Sequence, residues 1–357
     1  MMRQEFSFGA LLVLAATAGL AQTQFASYRT GFVYDVRHQI LRPIEGFPGS
    51  AVVGPALVSG ISAALPAPAG KWHLLEKADG WHLVQAGAWT ESVASWTEVK
   101  QAIWAEDTEA FLLVRQSGED APRFELYRLA GQSWELAHTS AWPVGLSFEG
   151  TRLCGLEGRQ SGEARIWLKS SAREDDPAAA ALWLLRESTG EAQSVHDGPV
   201  QAFSLPAKGK GTYAFSTADN AVFFLREVSG NFYAEASGLE VPAGLQLTAL
   251  RMTEENEFLS AWWGTREAGL VESRILVRNA IGESRSFPAE ARIESFSPTL
   301  ERQQWLLNAS LSAENPLLYL YSAALESVFF IPELPLESGT EMGKARETGK
   351  ANEGEGQ

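Results

Sequence analysis

Apolar and polar positions alternate along this chain in short runs broken by turns. Six stretches share one plan, in which a short apolar run meets a polar turn and then a strongly apolar run. They are ISAALPAPAGKWHLLEK, QAIWAEDTEAFLLVRQ, VGLSFEGTRLCGLEG, QAFSLPAKGKGTYAFST, TALRMTEENEFLSAWWG and IESFSPTLERQQWLLNAS. Anchored on Ala63, Ala102, Gly145, Ala202, Ala249 and Ser295, they lie 39, 43, 57, 47 and 46 residues apart. Two more strand-like runs follow such a pair, for example RFELYRLAG and SWELAHTSAW in the second unit, or PLLYLYSA and ESVFFIPEL in the sixth. Period-two alternation, aromatic and β-branched content, and punctuation by Gly, Pro, Asn and Asp predict strands. Helical periodicity is absent beyond the N-terminal segment.

Four short strands in roughly 40–47 residues are the period and content of a propeller blade. The expected fold is therefore all-β, a β-propeller of six or seven four-stranded antiparallel blades. The long step contains an insertion, KSSAREDDPAAAA, from Lys169 to Ala181. The run FVYDVRHQILRPIEG, Phe32 to Gly46, reads as a third-and-fourth-strand hairpin without its own first two strands. Such a hairpin is expected to pair near the C-terminal blade and close the ring, covering edges that would otherwise be open. The tail from Glu337 is rich in Gly, Glu and Lys, lacks aromatic residues, and is expected to be disordered.

The unit resembles that of degenerate YVTN/WD40-like exported bacterial propellers. The turns EDTE, TEENE, SPTLERQ and EGT stand where such families carry a Ser-Pro-Asp-Gly-like turn, and Ser297-Pro298 keeps part of that wording. The run GFVYDVRHQILRPIEGFPGSAVVGPAL also resembles the opening of such proteins. The resemblance covers roughly residues 31–337 as a pattern, and it implies a fold rather than catalytic residues.

The N-terminus changes the expected location. Arg3 precedes an apolar segment, Ala10 to Ala21, and Gly19-Leu20-Ala21 offers small residues for a cut after Ala21. Twelve apolar residues are short of the roughly 20 a bilayer needs. Residues 1–21 thus read as a signal peptide, 22–337 as one propeller domain and 338–357 as a disordered tail. The expected location is the periplasm or the exterior, with no transmembrane segment in the mature chain. A net charge of −15 disfavours nucleic acid and anionic lipid as partners. Cys154 is the only cysteine, so no internal disulfide can form; its apolar setting reads as a buried, inert thiol.

Chemistry is sparse. In WHLLEKADGWHLV, Trp72 to Val84, Trp-His-Leu is written twice. Asp79-Gly80 is the favoured turn, and a four-residue loop Lys77–Gly80 sets His73 opposite Val84 rather than His82. No third ligand is near, so neither a metal nor a cofactor is expected. The acidic groups Glu174-Asp175-Asp176 and Glu254-Glu255 read as solvated turns. The inserted loop around Arg173 nonetheless suits a binding face, because loops carry function on rigid scaffolds. Most of the twelve tryptophans fall in strands and read as blade packing. Trp262-Trp263 must face opposite ways, leaving one more exposed. The candidate binding surface is therefore Arg173, Glu174, Asp175, Asp176, Glu254, Glu255 and Trp263, together with the turn Glu106–Glu109. No G-x-S-x-G elbow, P-loop, dinucleotide fingerprint or H-E-x-x-H motif occurs. The expected function is a non-catalytic scaffold binding a protein or small-molecule partner. The alternatives are a hydrolase or lyase with a site dispersed around the channel, or a structural subunit of an envelope assembly.

Overall fold

Each polar turn of the repeat reverses the chain, and the apolar faces on either side pair in antiparallel register. A computed structural model describes residues 29–333 apart from 107–108, 159–162, 172–180, 207–211, 255–256, 266–270, 302 and 311–315. The expected signal peptide and acidic tail lie outside these residues, as do Arg173, Glu174, Asp175, Asp176 and Glu255. The described residues form seven four-stranded sheets, each from one continuous segment. They are taken as blades 1 to 7: residues 29–59, 63–96, 99–141, 151–197, 200–236, 245–289 and 292–331. The count is seven, and the strands are antiparallel within every blade, as the repeat implied.

One apolar cluster fills each wedge between neighbouring blades. Leu74 and Trp104 meet between blades 2 and 3, Leu112 and Ile166 between 3 and 4, and Trp167 and Phe215 between 4 and 5. Phe224 and Trp262 share the next wedge, and Leu259 and Trp305 the one after it. Ile44 and Leu306 join blade 1 to blade 7; Leu41 and Leu75 join it to blade 2. Trp167 and Trp262 are wholly buried. The indole N–H of Trp167 donates to Glu157 at 2.9 Å, and that of Trp262 to Ser260 at 2.9 Å. The tryptophans thus serve the packing role their strand positions suggested.

A second periodicity emerges only in three dimensions. In blades 3 to 7 the first strand carries an unpaired residue near its start, Lys100, Cys154, Gln201, Thr248 and Glu294, and blade 6 has a second at Thr253. From Cys154 to Glu294 the bulges near the start recur every 46 or 47 residues. A bulge bends a strand and re-aims its side chains. The register corrects one sequence assignment. In blade 4 the first strand is Thr151–Gly158 and the second Ala164–Ser170, so VGLSFEG is a connection rather than a strand. Its apolar residues Leu146 and Phe148 pack on the cluster around Phe124 and Trp142, which explains the misleading pattern.

The N-terminal hairpin also differs from expectation. It is not lent to another blade; Arg29–Asp35 and Ile40–Glu45 are the inner pair of a sheet of their own. Two short strands, Val52–Val53 and Val58–Ser59, share the next position outward, both paired to Ile40–Glu45. Blade 1 is therefore three positions deep. The innermost strands of blades 2 to 7 run one way, towards what is called the upper face. Trp104 bonds Leu65 O, Leu153 N–H bonds Gln101, Met252 N–H bonds Ser204, and Gly70 and Leu300 approach one another beyond their strands. Arg29–Asp35 runs the opposite way: Thr30 O, at its start, accepts from Leu300 N–H at 2.9 Å, and Tyr34, near its end, donates to Ile61 O at 3.0 Å. Among the described residues, blade 1 thus lacks the strand that the other six place nearest the axis.

Candidate functional site: the central channel

The inner strands enclose a cavity of about 1120 Å³. Residues 31–37 of blade 1 line it continuously, and opposite them it reaches past Phe296 to Leu306, Leu317 and Leu318 on the second and third strands of blade 7. The cavity extends outward at the place where, among the described residues, blade 1 has no first strand. Among the described residues no strand pairs with the channel-side edge of Arg29–Asp35, and the backbone contact of Thr30 O with Leu300 N–H lies at its upper end.

Charge is distributed unevenly along the channel. Near the upper face Arg251 of blade 6 reaches across to Glu106 of blade 3, 145 residues away in sequence. The pair is bidentate, with Nη1–Oε1 at 2.5 Å and Nη2–Oε2 at 2.6 Å. It spans the channel and is largely shielded, the side chains being 15% and 28% exposed. At the lower mouth Asp35, Arg37, Arg292, Glu294 and Glu333 line the cavity, and Ser310 donates to Glu294 at 2.6 Å. Val36 stands exposed in the turn beside them.

Asp35 is buried, and its carboxylate is fully engaged. It accepts from His38 Nδ1 at 2.7 Å and from the N–H groups of Arg37 and His38 at 3.1 and 3.3 Å. Burial opposes its ionisation. The hydrogen bonds and charge of His38, with the Arg37 N–H, outweigh that and hold its pKa below the ordinary carboxylate value. Arg42, 1% exposed, lies in the seam between blades 1 and 7. Its Nε donates to Gly54 O at 2.7 Å, and its Nη1 is 3.9 Å from both Asp35 and Glu333. Val53 and Glu333 form an isolated parallel β-bridge at this seam.

The residues singled out in sequence divide. Trp262 is buried and Trp263 partly exposed, as the alternation required, and Trp263 lines the channel with Arg292 and Glu294. Glu254 ends its strand on the opposite, upper face, paired in register with Glu257. Glu106, in the first of the two acidic turns, supplies half of the ion pair across the channel. Arg251, Arg292, Glu294, Asp35 and Glu333 were not anticipated. Their signal was a charged side chain in or beside a strand that lines the axis, legible only once strand order is known.

The doubled Trp-His-Leu is the second and third strands of blade 2. Lys77 pairs with Gly80 and His73 faces Val84. His73 is wholly buried against Phe32 and Trp89. Desolvation, opposed by the Gly70 backbone and aided by Arg29, lowers its pKa to about 4. His82 lies between Asp79, at 2.8 Å, and Ser92, at 3.3 Å. The order Ser-His-Asp is suggestive, but Ser92 donates its proton to Ala94 O at 2.7 Å and Asp79 is largely exposed. A nucleophile needs its proton directed at the base, so this is a turn contact. Burial pushes the Cys154 thiol up to about 12, with Lys169 opposing, which leaves it un-ionised.

The fold and channel define a seven-bladed β-propeller. No family model and no curated protein sequence matches the chain. Among solved structures it is similar to the acylaminoacyl peptidase of Pyrococcus horikoshii, with 9% identity over 82% of this chain and 49% of that one and a TM-score of 0.53. It is similarly related to a prolyl endopeptidase, with 10% identity over 92% of this chain and 55% of that one and a TM-score of 0.53. The Sqt1 protein of Saccharomyces cerevisiae is 11% identical over 87% of this chain and 84% of that one, with a TM-score of 0.49. The chain spans about half the length of the two peptidases. At these identities the likeness is one of fold, which does not carry an activity.

Proposed function

We propose that this protein is an exported, non-catalytic interaction scaffold, a single propeller over residues 22–337, whose channel receives an extended segment of a partner protein. The observation that supports this is the unpaired edge of Arg29–Asp35 beside the large cavity. An exposed strand edge recognises extended backbone by strand addition, and alternate side chains of the guest give specificity. Strands lie about 4.8 Å apart, sheets about 10 Å apart, and each residue advances about 3.4 Å. One residue of strand therefore fills about 160 Å³, and the cavity has room for about seven. The seam offers apolar contacts from Phe296, Leu306 and Leu318, and the lower mouth offers charges of both signs.

Export rests on the N-terminal apolar segment, and sequencing the mature protein should give Gln22 as its first residue. The channel reading is tested by capture from the periplasm or culture fluid, with the wild type compared with Ala64→Trp, which places an indole in the cavity. The wild type should retain a stoichiometric partner that the variant loses at unchanged melting temperature. A partner held equally by both would contradict a channel site.

A further inference from the structure

Between blades 6 and 7, on the upper face and apart from the channel, lies a pocket of about 210 Å³. Trp305 and Tyr321 form an aromatic wall, their ring centroids 5.9 Å apart and their planes 30° from parallel. Among the described residues three carboxylates line it, from Glu257, Glu283 and Glu326, against one cation, Arg285. That cation is already ion-paired with Glu326. Glu257 accepts from Thr253 at 2.9 Å and Glu283 from Asn279 at 3.1 Å. Neither neutral donor cancels a charge, so the lining keeps a negative excess.

Tyr321 supplies an independent sign. The residue is 3% exposed, lines the pocket, and its hydroxyl has no hydrogen-bond partner among the described residues. Burial first, then the charges of Glu257 and Glu326, push its pKa up to about 12 against the opposing Arg285, so it remains a neutral phenol. The hydroxyl borders the pocket, and its lone pairs are open to a ligand donor placed there.

We propose that this pocket binds an organic cation, an alkylammonium or guanidinium group. The carboxylates supply charge-assisted acceptors, the Tyr321 oxygen accepts a further N–H, and the aromatic wall attracts the cation through its π face. An anion meets two uncompensated carboxylates and is repelled. This site is separate from the channel and does not depend on the reading given to it.

The test is calorimetric titration of the purified protein at low ionic strength with butylamine, with the capped peptide Ala-Ala-Lys-Ala-Ala, and with butanol as the neutral control. Both amines should bind and butanol should not. Tighter binding of the peptide would assign the site to a partner's lysine, and equal binding to a free amine. Glu257→Gln should weaken the amines about tenfold, the equivalent of one charge-assisted hydrogen bond. Tyr321→Phe, which keeps the ring and its packing, should weaken them several-fold. Raising the salt should also weaken binding, through screening. Identical titrations by butylamine and butanol would overturn the proposal. So would full affinity in a Glu257→Gln, Tyr321→Phe double variant whose melting temperature matches the wild type.

Discussion

Replacing Arg42 with methionine should open the seam between the first and last blades. Arg42 is 1% exposed and donates to Gly54 O at 2.7 Å. Its guanidinium also lies 3.9 Å from the buried Asp35 carboxylate and the same distance from Glu333. Breaking a buried ion pair from one side costs about 3–5 kcal/mol, because the remaining charge stays desolvated. Asp35 keeps its three donors from His38 and Arg37, so the lower end, about 3 kcal/mol, is expected. For a chain of this size each kcal/mol moves the melting temperature by about 2 °C, giving a fall of about 6 °C. Urea unfolding followed by tryptophan fluorescence, with calorimetry alongside, measures both quantities. Arg42→Lys keeps a cation but loses the Nε bond to Gly54, and should fall between the two. A methionine variant as stable as the wild type would refute the reasoning, since it would mean the cation has no structural role at the seam.

Two further outcomes concern the Trp-His-Leu hairpin. His73 has an ordinary pKa near 6.5 when unfolded and about 4 when folded, so below pH 6.5 the unfolded chain binds more protons. Its contribution is intact above pH 6.5 and is lost as pH falls towards 4, by up to about 3 kcal/mol. Stability measured against pH should lose this slope in His73→Leu, and an unchanged slope would show that His73 is not its source. Gly80 has φ +129°, and a Cβ there would stand 2.4 Å from the Trp96 carbonyl oxygen. Gly80→Ala should therefore cost about 1–3 kcal/mol through backbone strain, whereas wild-type stability would mean the turn relaxes freely.

The chain announces its blades more clearly than its site. Strand pairs such as Trp72–Lys77 with Gly80–Gln85 are legible because alternation and a glycine turn act locally. The connection Val144–Phe148 deceived the same logic, since a loop that packs on Phe124 and Trp142 must also be apolar. Strand direction in blade 1 was not legible, because alternation is identical whichever way a strand runs. The contacts of Thr30 with Leu300 and of Tyr34 with Ile61 decide it. The ion pair of Arg251 with Glu106 joins positions on opposite sides of a ring, so no local pattern could connect them. The acidic turns drew attention to Glu106 because exposed charge in a loop invites a partner; its partner proved to be across the channel.

We propose that the inner edge of blade 1 receives an extended partner segment. A photo-crosslinking residue at Val36, exposed in the turn at the lower mouth, tests this most directly. Irradiation in cells, followed by mass spectrometry, should yield one dominant adduct to another protein through a short, alternating polar and apolar segment. A control probe at Val144, which is exposed and not part of the channel lining, should not capture that protein. Adducts confined to this chain itself, or the same proteins captured from both positions, would contradict the account.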